Sequence, residues 1–201
     1  MKNRKTLEMV QMAVLIAIIL IMSFTSIGYI RTGGLEISII TIPVVIGAMV
    51  MGPKAGLILG LVFGFTSFYQ CFGMSPFGAT LLGVNPFFTF LVCVPTRGLM
   101  GWLTGVLFKL MKSIDKTKIV SYFVGGLIGA FLNTLFFMGM LIICFWGSDY
   151  IQSINEALGG LNPFAFVLAF VGVNGLLEMP ASCIGGGVIA KALNKAFPSE
   201  N

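Results

Sequence analysis

Histidine is absent from this chain, acidic residues number only seven, and charged side chains of both signs make up 9% of it. Each shortage excludes a class of protein. Without histidine there is no His-based metal site and no Ser/His hydrolase, and no two acids are spaced for prenyl or phosphoryl chemistry. No G-x-x-x-x-G-K-[ST] stretch occurs, so the chain does not hydrolyse ATP itself. An enzyme is therefore not expected, and neither is a cofactor or a resident metal. Cys71, Cys93, Cys144 and Cys183 are scattered with no C-x-x-C pair, which argues against a disulfide framework and leaves them as small packing residues. A soluble domain carries about a quarter of its residues as charges, so this chain falls well outside that class.

What is present is apolar. Hydrophobic residues make up 57% of the sequence, and mean hydropathy is +1.01. The apolar runs are long and unbroken, as membrane helices of about 20 residues require, rather than short and alternating as in a transmembrane barrel. The expected fold is an all-α membrane protein, a six-transmembrane-helix bundle forming one domain over residues 1–201. The candidate spans are about 8–29, 38–52, 55–71, 86–111, 119–146 and 162–192. The basic start and apolar run at the N-terminus have no A-x-A cleavage site after them and read as a retained first helix. "GPK" at 52–54 predicts a tight turn. Pro95 and Pro180 are expected to interrupt the fourth and sixth spans, freeing backbone groups that need other partners.

The net charge of +5 is a matter of topology. Lys2, Arg4, Lys5, Lys54, Lys109, Lys112, Lys116, Lys118, Lys191 and Lys195 all fall on one side of a six-span arrangement, and only Arg31 and Arg97 do not. The positive-inside rule makes that side, with both termini, cytoplasmic. No nucleic-acid role is needed to explain the charge. The opposite loops, 30–37, 72–85 and 147–161, are long and partly apolar; composition leaves open whether they form a lid or merely connect.

Two patterns carry functional information. Small residues recur at four-residue spacing: Ala13 and Ala17, Gly56, Gly60 and Gly64, Gly101 and Gly105, Gly125 and Gly129. Such stripes let helices approach closely, mostly within the bundle, while an exposed pair would dock a partner helix. The second pattern is polar: Gln70, Asn85, Arg97, Asn133, Asn174 and Glu178 fall inside or at the outer edge of the spans. Asn174 and Glu178 share a helical face. A charge at bilayer depth costs roughly 2.5–3.5 kcal/mol on insertion scales, so Arg97 needs a partner or a task. Mutual neutralisation of Arg97 and Glu178, with the asparagines as interhelical glue, is one explanation. The other is a small polar ligand, walled by Phe68, Tyr69, Phe72, Phe87, Phe88, Phe136, Phe137 and Trp146.

Taken in order, "AVLIA" at Ala13–Ala17, "IPVVIGAMVMGPKAGLILGLVFGFTSF", "NPFFTFLVCVPTRGLMG", "NTLFFMG" and "GVNGLLE" resemble the S component, the substrate-binding membrane subunit, of an energy-coupling factor (ECF) vitamin transporter. The resemblance spans nearly the whole chain. It implies six helices in a bacterial plasma membrane and a vitamin held near the outer face under loops. Transport then needs a membrane-coupling T subunit and two cytoplasmic ATPase subunits, against which the bound subunit topples. Ala13 and Ala17 are thereby assigned to docking on the T subunit. "NTLFFMG" and "GVNGLLE" look most like the pantothenate-specific branch. Pantothenate offers a carboxylate, an amide and two hydroxyls, which implies Arg97 on the carboxylate and Gln70, Asn133 and Asn174 on the rest. Glu178 would orient Arg97, accept from a ligand hydroxyl or be structural. "VPTRG" departs from the pattern in placing a threonine between proline and arginine. Folate, hydroxymethylpyrimidine, pyridoxine-type and cobalamin ligands are the alternatives within the family; a self-sufficient secondary transporter or channel, and a ligand-free scaffold, are the alternatives outside it.

Overall fold

The computed structural model describes residues 2–25, 28–32, 35–115, 117 and 119–196, with side chains described in all of these except 2–4, 29–32, 35–37 and 171–177. Helices dominate: α1 (Lys2–Phe24), α2 (Thr41–Met51), α3 (Pro53–Gln70), α4 (Pro76–Val84), α5 (Pro86–Ile114), α6 (Val120–Phe145), α7 (Asp149–Ala157), α8 (Pro163–Ala181) and α9 (Gly187–Ala196). Among the described residues three stretches, Lys5–Phe24, Pro86–Ile114 and Val120–Phe145, are long and apolar enough to cross a membrane. At 11 residues, α2 falls short of the usual crossing length.

The fold is helical as expected, with one small β-hairpin between α1 and α2. Tyr29–Thr32 (β1) and Leu35–Ser38 (β2) form an antiparallel pair in the register Tyr29↔Ser38 to Thr32↔Leu35. The first helix accordingly stops at Phe24, short of the expected residue 29. The apolar run ends in Ser23, Phe24 and Thr25, where hydroxyls compete for backbone groups: Thr25 Oγ1 donates to the Ile21 carbonyl at 2.8 Å. Ile39 N donates to the Gly28 carbonyl at 3.0 Å and closes the base of the hairpin. Segments 72–85 and 147–161 also carry structure, α4 in the first and α7 in the second.

The segment after α2 turns at Gly52, whose φ of +92° suits glycine, and Pro53 starts α3 where no amide hydrogen is needed. Asparagine or serine followed by proline opens three further helices. Ser75, Asn85 and Asn162 accept from Gly78 N at 3.3 Å, Phe88 N at 3.1 Å and Ala165 N at 2.8 Å, so each side chain caps α4, α5 or α8.

Antiparallel helices α3 and α5 form the closest seam. A Cβ on Gly56 would collide with the Gly101 carbonyl, one on Gly60 with the Arg97 carbonyl, and one on Gly64 would lie 2.7 Å from Val94 Cα. Glycine at these positions is a condition of the seam rather than a flexible joint. Ile19, Val44, Leu59, Phe63 and Met100 pack into one fully buried core around it. Above, Leu81, Val92, Leu141, Phe145, Ile151 and Phe166 join α4 and α7 to α5, α6 and α8.

Neither internal proline ends its helix. Around Pro95, α5 runs uninterrupted from 86 to 114, and around Pro180 the helical path continues through a π turn, Ser182–Gly186, into α9. Each proline removes one amide donor from its helix, and a π turn follows the second. Gly126 of α6 lets the Ser182 carbonyl approach where a Cβ would collide with it.

Candidate functional site

Arg97 is carried by α5, two residues after Pro95, and is only 8% exposed. Helical side chains lean toward the N-terminus. The guanidinium therefore folds back over the proline turn, where Nη1 donates to the Cys93 carbonyl at 3.1 Å and to the Val92 carbonyl at 3.5 Å. Thr96 Oγ1 donates to the same Val92 carbonyl at 2.5 Å. Pro95 removes the donor for the Leu91 carbonyl, and the two following side chains add donors to the next two carbonyls, Val92 and Cys93.

Two aromatic rings lie against the cation. The Arg97 Cζ lies 4.6 Å from the centroid of Phe63 on α3 and 5.0 Å from that of Phe137 on α6. Cation–π contacts of this kind reach about 2 kcal/mol when desolvated. They offset part of the cost of burial, while the guanidinium donates hydrogen bonds along the rim of its plane. Along that rim Nε is buried without a hydrogen-bond partner.

Asn133 lies four residues before Phe137 and thus on the same face of α6. Its amide hydrogen-bonds the Glu178 carboxyl, while its Oδ1 is buried without a partner. Glu178 on α8 accepts from Ser38 N at 2.7 Å, which ties the end of β2 to α8. The charge of Arg97 acts on the Glu178 carboxyl across this space. Among the described residues no ion pair within contact distance joins the two groups, so Glu178 is a buried acid held chiefly by an amide side chain and a backbone amide.

Arg97, Asn133 and Glu178 are thus brought together from three helices. Gln70 has a different setting: its Nε2 donates to the Ser23 carbonyl of α1, beside the Ser23 Oγ to Thr66 Oγ1 hydrogen bond of 3.0 Å. Asn85 caps α5 as described, its Oδ1 occupied by Phe88 N. The Asn174 side chain lies outside the described residues. Of the aromatic walls expected from sequence, Phe137 reaches Arg97, Phe88 packs on Phe145 at 6.0 Å and Trp146 on Phe166 at 5.6 Å. Tyr69, Phe72 and Phe87 are exposed and face outward.

Sequence reasoning missed Phe63 and Ser38. A signal for Phe63 existed, since it lies three residues after Gly60 and so on the face of α3 that meets α5. None existed for Ser38, which contributes only its backbone.

The family model for the ECF transporter substrate-specific component matches residues 7–184. The chain belongs to this family. As an ECF substrate-specific component it is an integral membrane protein and a transporter component rather than an enzyme, with a small-molecule substrate and, in general, T and ATPase partners. No curated protein matches the sequence. For an S component, a buried cation with an unpartnered donor beside an unpartnered acceptor is an arrangement suited to a polar ligand.

Proposed function

We propose that this S component captures pantothenate at the outer face of a bacterial plasma membrane. It delivers the vitamin through a T subunit and two cytoplasmic ATPase subunits. The carrying observation is the Arg97 rim: Nη1 is held by backbone carbonyls, two rings lie against the cation, and Nε has no protein acceptor. A carboxylate placed there receives a charge-assisted hydrogen bond from a donor already fixed in direction. Asn133 Oδ1 accepts from a ligand hydroxyl, and Asn174, four residues before Glu178 in the sequence, is assigned to the remaining polar groups of the ligand. Glu178 holds the hairpin over the site and orients Asn133. Gln70 and Asn85 shape the rim by tying α3 to α1 and capping α5.

The same reading gives six membrane segments, α1, the short α2, α3, α5, α6 and the α8–α9 pair, with both termini cytoplasmic. Ala13 and Ala17 are exposed on α1 and form the docking stripe for the T subunit. Thermal unfolding of the purified chain against a vitamin panel tests the assignment, since a bound ligand stabilises by RT ln(1 + [L]/Kd). Pantothenate is expected to raise the midpoint in the wild type and to lose about 100-fold in affinity in Arg97→Lys, which keeps charge but not the planar fork. Stabilisation by a different vitamin alone overturns the pantothenate assignment. An unchanged response in Arg97→Lys overturns the role of the guanidinium.

A further inference from the structure

Beside the Arg97 cluster, two thiols 22 residues apart in sequence come together. Cys71, the residue that ends α3, and Cys93 on α5 are both buried, with their Sγ atoms 4.0 Å apart. The direction of helical side chains accounts for this. Each Cα–Cβ bond tilts toward its own helix N-terminus, and because α3 and α5 run antiparallel the two cysteines lean toward each other. Ser67 joins them: its carbonyl accepts from Cys71 Sγ at 3.3 Å, and its Oγ donates to Cys93 Sγ at 4.0 Å. Gly78 of α4 closes the other side, where a Cβ would lie 2.6 Å from Cys71 Sγ. Phe68 and Phe90 pack around the cluster. Arg97 acts electrostatically on both sulfurs, and the Cys93 carbonyl is the acceptor that holds its Nη1.

We propose that Cys71 and Cys93 are a thiol–disulfide modification site that sets the position of Arg97. A peroxide oxidises one sulfur to a sulfenic acid and releases one water. The second thiol then attacks that sulfur, its proton leaving with the hydroxide as a second water, and an S–S bond forms. Closing 4.0 Å to a bond of about 2.05 Å moves the sulfurs by about 2 Å, by side-chain rotation together with a small shift of the Cys71 turn, beyond the glycine seam, toward the Cys93 turn. That shift pulls on the Cys93 turn and its carbonyl. Pinned in this way, the turn holds Arg97 back from the ligand. This second consequence rests on the ligand reading above; the cross-link itself does not.

The test uses the full chain in lipid nanodiscs, treated with hydrogen peroxide, alkylated and read by intact mass and peptide mapping. The expected result is a loss of two hydrogens, a linked peptide pair containing residues 71 and 93, and reversal by dithiothreitol. Cys71→Ser and Cys93→Ala each abolish the link, whereas Cys144→Ser and Cys183→Ser leave it. Free alkylation of both cysteines after peroxide, or separate oxidation of each without a link, overturns the site. Pantothenate titration of the two forms is expected to show about tenfold weaker binding in the oxidised chain, equivalent to about 1.4 kcal/mol. Equal affinities overturn the coupling to Arg97. If neither form binds a vitamin, the ligand reading fails while the cross-link is still decided by mass alone.

Discussion

The α3–α5 seam and the outward face of α1 are written with the same four-residue repeat of small residues and serve opposite ends. In α5, 56% of the most apolar stretch is buried within the protein; in α1 the figure is 11%. Gly56, Gly60 and Gly64 sit where the backbone of α5 leaves no room for a methyl group. Ala13 and Ala17 are exposed, flanked by exposed Met9, Val10, Val14, Ile18 and Ile21. Small-residue spacing therefore reports a close approach without saying to what. The difference lies in the neighbours, since the glycine ridge carries Phe63 inward to the Arg97 cation while α1 offers its large side chains to lipid or to another protein.

The contrast is broken most directly at Gly60. Gly60→Ala places a methyl group against the Arg97 carbonyl, with backbone rather than a flexible side chain in the way. Overpacking of this kind costs about 2–3 kcal/mol, read as a lowered midpoint in thermal unfolding. Gly139→Ala, at a position with nothing within 4 Å, is the control and is expected to change the midpoint little. Equal effects at the two positions would dissolve the distinction between seam and surface.

Within the site the expected effect is smaller. Asn133→Ala removes an acceptor offered to the ligand and the amide that orients Glu178, for about 1 kcal/mol, or roughly fivefold, in pantothenate affinity by calorimetry. On α1 the expected change in the isolated chain is smaller still. Ala17→Leu adds apolar volume to an exposed face, and its midpoint should stay within about 0.5 kcal/mol of wild type. Its effect belongs to assembly: copurification with T and ATPase subunits is expected to fall while pantothenate binding is retained. Full assembly in this variant would remove the docking role from the stripe.

Arg97 was legible in the sequence because a charge in an apolar run is expensive wherever it points, and Asn133 and Glu178 followed from the same cost. Asn85 shows how that reasoning fails. An asparagine before a proline at the head of an apolar run is a helix start, and the same pattern at Ser75–Pro76 and Asn162–Pro163 marks α4 and α8. Its polarity was spent on Phe88 N. Tyr69, Phe72 and Phe87 were misjudged for a different reason: membrane helices are apolar on their lipid side as well, so hydrophobicity does not tell inward from outward. The Cys71–Cys93 pair depends on where distant segments meet. That register is fixed by the glycine seam, whose existence could be read from spacing but whose partner helix could not.

The smallest expected effect lies where the chain leaves α5 and enters α6, a connection held by polar bonds instead of close packing. The Asp115 carboxylate accepts from Thr117 N at 2.9 Å, Thr117 Oγ1 at 2.7 Å and Ser121 N at 2.8 Å. The Thr117 hydroxyl and the Ser121 amide stabilise the charged form and hold its pKa well below the usual carboxylate range. A folded-state pKa depressed in this way contributes stability that is fully present above the unfolded value, near 4, and is lost as pH falls through the folded value. Thermal midpoints measured from pH 7 downward should hold level until about pH 4 and then decline, and Asp115→Asn should lower the midpoint at pH 7 and flatten the part of that decline due to this turn. A glycine-seam variant such as Gly60→Ala should instead shift the whole curve without changing its shape, because no proton is bound or released where backbone meets backbone.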